Sequence, residues 1–280
     1  MSLESVNTNI AASVALQSLE LTGSQLATTQ KHISTGYRVA DATDDGAAYA
    51  VAQRVRSDVG ALTSANQQLG NVQGLLSTTV SALNDVSNTL NSARDVLVKL
   101  ADSNTQGSQR TQYAAQYSSL VANIKTFFQD ATYNGKTLVG NIGGTKGFGA
   151  VAVIRNEVGA TYGISTFGGN ALYGSVNAAA LTGQAGALAA ISATGSFTNQ
   201  LNTIGNQLNK YGSATNYVTN QVNYNSDKIT SLNNGLGSLI DANLAQESAQ
   251  LQALQIKQQL GTQALSIANQ APQSLLSLFK

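Results

Sequence analysis

Few residues in this chain are of a type that does chemistry, and their spacing points away from catalysis. His32 is the single histidine, which excludes a two-histidine zinc motif such as HExxH. A structural or exposed role is expected for it. Asp41, Asp44 and Asp45 lie close enough in sequence to hold a cation, yet they lack the alternating ligands of a calcium loop. A solvated helix cap is the reading they support, with Asp44 or Asp45 as N-cap of the following helix. Gly135-Lys136-Thr137 has the ending of a phosphate-binding loop, but Asp130 stands where the leading glycine must be. A hairpin turn is expected there instead. Tyr113 and Tyr117 fall on an apolar face and are expected in the core, not as stacking platforms. The glycine-rich middle shows no strand–GxGxxG–helix order and reads as turn-rich surface. No catalytic, cofactor or metal site is expected, and the chain is read as a non-enzyme.

The elements around these residues are written for helix pairing. A leucine recurs every seventh residue at Leu62, Leu69, Leu76, Leu83, Leu90 and Leu97, with Ala65, Val72, Thr79, Val86, Ala93 and Leu100 at the intervening positions. Near the other end, alternating steps of four and three link Phe197, Leu201, Ile204, Leu208, Tyr211, Thr215, Val218, Val222, Asn225, Ile229, Leu232, Leu236 and Leu239. A sustained seven-residue repeat keeps one apolar seam facing a partner helix. The expected fold is therefore mainly α: a long antiparallel helical bundle or coiled-coil rod. Leu62–Leu97 with Leu201, Ile204, Leu208, Val218 and Val222 would form its core. At 1.5 Å per residue the first seam alone would span about 58 Å.

Composition agrees. Charged residues make up 10% of the chain, against about 25% in an ordinary globular protein. Net charge is +1, so no field recruits nucleic acid or an anionic membrane. Cysteine is absent, and no disulfide argument about compartment arises. The one proline, Pro272, stands near the end, as long uninterrupted helices require. The first twenty residues carry Glu4 and Glu20, no lysine or arginine, and no continuous apolar stretch, unlike a secretory signal.

Residues 1–35 read as a sparse amphipathic helix with Leu19, Leu26 and Ile33 at sevenfold spacing, stopped at Gly36 by a left-handed cap. A helix over 46–100 follows, then a break at Asp102–Ser108 and a third helix through Tyr113, Tyr117, Leu120, Ile124 and Phe127. Residues 132–195 change character: half of the 26 glycines fall between Gly140 and Gly195. Within this zone 150–155 and 160–166 read as strands around Asn156-Glu157-Val158-Gly159, a hairpin. The return helix starts near Phe197. After Leu236 the seam steps by four to Ile240, Leu244, Leu251, Leu254 and Leu265, a stutter taken as a domain boundary.

The two ends carry a resemblance. Asn7-Thr8-Asn9, Ser34-Thr35-Gly36-Tyr37-Arg38-Val39 and Ala42-Thr43-Asp44-Asp45 resemble the N-terminal region of bacterial flagellins. Leu239-Ile240-Asp241-Ala242-Asn243-Leu244, Leu265-Ser266-Ile267-Ala268-Asn269-Gln270 and Pro272–Lys280 resemble the flagellin C-terminus, and Tyr133-Asn134-Gly135 resembles the family's turn after the third helix. One departure is Gly46-Ala47-Ala48, where the family has Ala-Ala-Gly. The resemblance, to a short form like those of alphaproteobacteria, covers roughly residues 1–140 and 196–280.

It implies a flagellar filament subunit that polymerises with itself and with related flagellins and is extracellular. It also implies contacts with the flagellar export apparatus, an export chaperone and the filament cap, without a cleaved signal. Residues 1–45 with 237–280 would be terminal arms of the inner core, ordering on assembly. Residues 46–140 with 196–236 would form the outer tube, and 141–195 a small Gly-rich β-hairpin and loop region without separate outer domains. Leu19, Leu26, Ile33, Ile240, Leu244, Leu251, Leu254 and Leu265 are the expected polymerisation contacts. Two other readings are a hook–filament junction protein and a non-polymerising secreted coiled-coil adhesin. In many flagellins the stretch equivalent to Leu90–Val98 carries two arginines bound by the flagellin-sensing Toll-like receptor. Here Arg94 is kept and Ser92 stands at the first position.

Overall fold

The computed structural model describes residues 8–140, 142–144 and 146–278. The outermost residues of both expected terminal arms, 1–7 and 279–280, lie outside this range. The protein is mainly α, and it divides into two compact units: Met1–Ser57 with Ser231–Lys280, and Asp58–Thr230. Helix α1 spans Ile10–Thr35, α2 Gly46–Ala101, α3 Gly107–Asp130, α6 Ser196–Ile240 and α7 Leu244–Leu278; β1–β4, α4 and α5 lie between α3 and α6.

The larger unit is organised by the leucine repeat. Leu62, Leu69, Leu76, Leu83, Leu90 and Leu97 are all 0% exposed, and every intervening position from Ala65 to Leu100 is buried as well. The facing seam belongs to α6. Phe197, Ile204, Tyr211 and Val218 are buried, while Leu201, Leu208 and Val222 pack half-buried against the same core. The helices run antiparallel: Asn66 Nδ2 donates to Ser226 Oγ at 3.3 Å and Gln73 Nε2 to Thr219 Oγ1 at 3.1 Å. Asn225 is the one amide in this seam with no exposure. Its Nδ2 donates to Asn66 Oδ1 at 2.9 Å and to the Arg155 carbonyl at 3.0 Å, and its Oδ1 accepts from Gln221 Nε2 at 2.9 Å. A satisfied buried amide in an apolar seam fixes register at some cost in stability.

The hairpin lies where the sequence puts it. Strand β2 (Val151–Ile154) pairs antiparallel with β3 (Thr161–Ile164), Val151 opposite Ile164 and Ile154 opposite Thr161. Gly159 takes φ +79° at the turn. A short parallel pair joins β1 (Val139–Gly140) to β4 (Phe167–Gly168). The rest of the glycine-rich stretch differs from the loop reading. Helix α4 (Asn170–Val176), a 3₁₀ turn at Ala179–Thr182 and α5 (Gln184–Ile191) occupy it. The reason is compositional: between the glycines stand Ala185, Ala187, Leu188, Ala189 and Ala190, the strongest helix formers. Leu172, Val176, Ala187 and Ala190 are buried. Tyr117 joins this core as expected and donates its hydroxyl to the Val176 carbonyl at 2.6 Å; burial pushes its pKa up.

Gly135-Lys136-Thr137 belongs to a two-residue hairpin turn. Tyr133 and Lys136 exchange backbone hydrogen bonds of 2.8 and 2.9 Å, with φ +48° at Asn134 and +72° at Gly135, the signature of a type I′ turn.

In the smaller unit, Gly36 closes α1 in the left-handed region at φ +74°. Asp45 is the cap of α2: its Oδ1 accepts from the backbone N–H groups of Ala47 and Ala48 at 3.0 and 2.9 Å. The links beside the two terminal helices pair with each other. Arg38 N–H donates to the Ile240 carbonyl at 2.7 Å and Ala242 N–H to the Gly36 carbonyl at 3.0 Å. Val39, Ala48, Ala52 and Ile240 form a small core beside them. The four-residue step after Leu236 proves to be a helix end. Helix α6 stops at Ile240, and Asn243 opens α7, its Oδ1 accepting from Gln246 N–H at 3.3 Å. Asp241 and Asn243 favour local caps over helix continuation, so no continuous helix exists for a stutter to unwind.

Candidate functional site

Helices α1 and α7 pack along each other in antiparallel fashion. Asn9 Nδ2 donates to the Ala268 carbonyl at 2.7 Å, and at the far end His32 Nδ1 lies 3.0 Å from Glu247 Oε1. Between them Leu19 lies over Gly261, where an added Cβ would meet Leu19 Cδ1 at 3.2 Å. A side chain at this weak seam position would press on Leu19, so the helices sit close here. Leu19, Leu26 and Ile33 on α1, with Leu251 and Leu265 on α7, are half-buried, and Leu254 is buried. Ile240 belongs to the small core of the link, and Leu244 is exposed.

The same helices carry a second apolar row that the sequence reading missed. Ile10, Val14 and Leu21 on α1, and Ile256, Leu260 and Ile267 on α7, are each between 58% and 68% exposed. Both rows have the same spacing, four residues and then seven, and both hold a glutamine (Gln17, Gln263) at the omitted step. Filling that step gives alternating intervals of four and three, a heptad seam. Scattered exposed apolar residues need no explanation, but a row at heptad spacing along one helix face is a candidate interaction face. The signal was present in the sequence at the same period as the row through Leu19 and Leu26, displaced around the helix.

The acidic cluster is engaged within the chain. Lys31 Nζ stands 2.7 Å from both Asp41 Oδ2 and Asp44 Oδ1. Hydrogen bonding to Lys31 holds both carboxyl groups below the usual carboxylate range and raises the Lys31 ammonium. The cation this cluster holds is a lysine, pinning the end of α1 to the link. Among the described residues no group of three or more His, Cys, Asp or Glu is placed to hold a metal ion, and no helix is long and apolar enough to cross a membrane. Ser92 and Arg94 are both exposed on α2, with the Ser92 hydroxyl turned back to the Asn88 carbonyl at 3.2 Å.

Known proteins resemble this chain over nearly its whole length. Residues 6–143 match the bacterial flagellin N-terminal helical region, and residues 191–279 the bacterial flagellin C-terminal helical region. Flagellin FljK of Caulobacter vibrioides is 31% identical, with all of both chains covered. A flagellin of Brucella melitensis is 32% identical over 99% of this chain and all of its own. Among solved structures, a Bacillus cereus flagellin aligns with a TM-score of 0.52 at 19% identity, covering 57% of this chain and 88% of that one. A putative flagellar hook-associated protein from Vibrio parahaemolyticus aligns at 0.57 and 16% identity over 71% of this chain and all of that one. At such identities the two structures share the fold, whereas the end-to-end relatives are flagellins and favour the filament reading over the junction one. The chain belongs to the bacterial flagellin family and is a structural subunit of the flagellar filament.

Proposed function

We propose that the chain polymerises through the outward rows of α1 and α7. Ile10, Val14 and Leu21 with Ile256, Leu260 and Ile267 bury against neighbouring copies, while Leu19, Leu26, Ile33, Leu251, Leu254 and Leu265 hold the two helices of one copy together. The observation that carries this reading is the exposed heptad row on each helix. The rows of α1 and α7 are different surfaces, and contacts between different surfaces are heterologous; these build open helical filaments when the rotation does not close. Residues 1–45 with 237–280 form the inner layer of the filament, 46–140 with 196–236 the outer layer, and 141–195 a small surface region of the latter. The subunit passes through the flagellar export apparatus with a chaperone and without a cleaved signal, and is placed beneath a filament cap. It co-assembles with related flagellins, carries no enzymatic activity and contacts neither nucleic acid nor a membrane interior. Removing residues 1–35 or 245–280 tests the reading. The truncated chain remains folded but forms no filaments under seeding, by electron microscopy. Normal filaments from either truncation overturn it.

A further inference from the structure

The chain holds two Asn-Gly pairs, Asn134-Gly135 and Asn234-Gly235, and the fold places them in opposite circumstances. Asn234-Gly235 lies inside α6, where the Gly235 nitrogen is committed to the helix ladder. Asn134-Gly135 forms the exposed tip of the turn closed by Tyr133 and Lys136. Asn134 is the one non-glycine residue with positive φ among the described residues. The two backbone bonds of that turn engage Tyr133 and Lys136, not the Gly135 nitrogen, and Gly135 has no side chain to hinder approach to that atom.

We propose that Asn134 is a spontaneous deamidation site. The Gly135 backbone nitrogen attacks Asn134 Cγ; the N–Cγ bond forms and the Cγ–Nδ2 bond breaks. The displaced amide nitrogen leaves as ammonia, carrying the proton lost from the Gly135 N–H. Water then opens the resulting succinimide at either carbonyl, giving aspartate or isoaspartate. Asparagine is among the chemically labile side chains, and local opening of an exposed turn costs far less than opening the interior of a long helix. The position has a structural consequence. The turn is packed tightly on the segment after β1: a Cβ at Gly147 would lie 1.9 Å from the Gly135 carbonyl oxygen. Isoaspartate lengthens the backbone by one carbon at Asn134, and the new carboxylate adds a negative charge at the tip. Aspartate still suits a type I′ turn, but the lengthened isoaspartate backbone does not fit without displacing that contact.

The test uses the purified full-length monomer, held folded at mildly alkaline pH, with peptide mapping by mass spectrometry over time. Conversion at Asn134 is expected at least about tenfold faster than at Asn234, with both aspartate and isoaspartate among the products. Equal rates, or faster conversion at Asn234, overturn the proposal. Aspartate alone at Asn134, with no isoaspartate, overturns the ring-closure step. Unfolding the chain in denaturant should bring the two sites to similar rates; a persisting difference would mean that the fold is not what distinguishes them.

Discussion

Replacing Ile256 and Leu260 together by alanine separates the two faces of α7. Both residues are 58% exposed in the single chain. Fully burying an isoleucine or leucine stabilises by about 1.5–3 kcal/mol, so the surface still open to water holds roughly 1–2 kcal/mol at each position. Alanine forfeits most of it, about 2–3 kcal/mol for the pair. At 1.4 kcal/mol per decade this raises the critical concentration for polymerisation about 30- to 150-fold. The two sites are one helical turn apart, and their effects need not add fully. Alanine is the better helix former, so α7 itself is not weakened. Leu254→Ala provides the contrast, because Leu254 is buried against the chain's own helix pair. It should cost about 2–5 kcal/mol within the monomer. The assay is seeded polymerisation with sedimentation, beside circular dichroism of the monomer. If the double variant polymerises at the parent concentration, the outward row is not the assembly face and the reasoning fails.

Leu83→Ala removes a side chain with no exposure and should destabilise the monomer by about 2–5 kcal/mol in thermal unfolding; a change within error would mean that the leucine seam is not the core. Asp41 and Asp44 have depressed folded-state pKa values through hydrogen bonding to Lys31, so the folded chain binds fewer protons there than the unfolded one. Their contribution is complete above the ordinary carboxylate pKa of about 4 and is lost as pH falls through the depressed folded values. Lys31→Met should flatten that acid limb in unfolding measurements, and an unchanged limb would refute the link. With Ser92 where many flagellins carry arginine, the monomer should activate the flagellin-sensing receptor weakly. One missing charge-assisted hydrogen bond is worth about 1.5–3 kcal/mol, and equal potency beside a two-arginine flagellin in reporter cells would show Ser92 to be irrelevant.

The leucine repeat was legible because every layer from Leu62 to Leu100 keeps one phase, and a helix of that length has a single long partner, α6. The hairpin was legible from Asn156–Gly159 between two short β-branched runs. The helices at 170–191 were not, since glycine frequency outweighed the short alanine stretches between; α4 and the 3₁₀ turn pack on α3, and α5 on that turn. Lys31 could not be matched with Asp41 and Asp44 from sequence. The Gly36 turn that brings them together is a tertiary fact, although both of its halves are local signals. Arg110 was likewise missed: its guanidinium accounts for the Leu100 and Asp102 carbonyls at the end of α2, a contact for which the sequence offers only a basic residue after a break.

The terminal helices show a more general limit. Periodicity reports that a helix has an apolar face; it does not report which partner takes that face. In α1 the row through Leu19, Leu26 and Ile33 and the row through Ile10, Val14 and Leu21 have the same period, and only the fold assigns the first to α7. That assignment leaves the pair poorly covered. Among the described residues, Thr29 is the one buried residue of α1 and Leu254 that of α7. Long helices whose described residues bury so little within the chain have little of the packing from which most helical stability comes. Among the described residues, the large apolar side chains of these helices most exposed to water are those of the outward rows, where the proposed assembly would cover them. The low charge of the chain removes most of the repulsion that would oppose side-by-side packing of such helices. Under the proposed assembly, marginal stability alone and an unpaired seam are two sides of one requirement: arms that neighbours complete must be weak on their own.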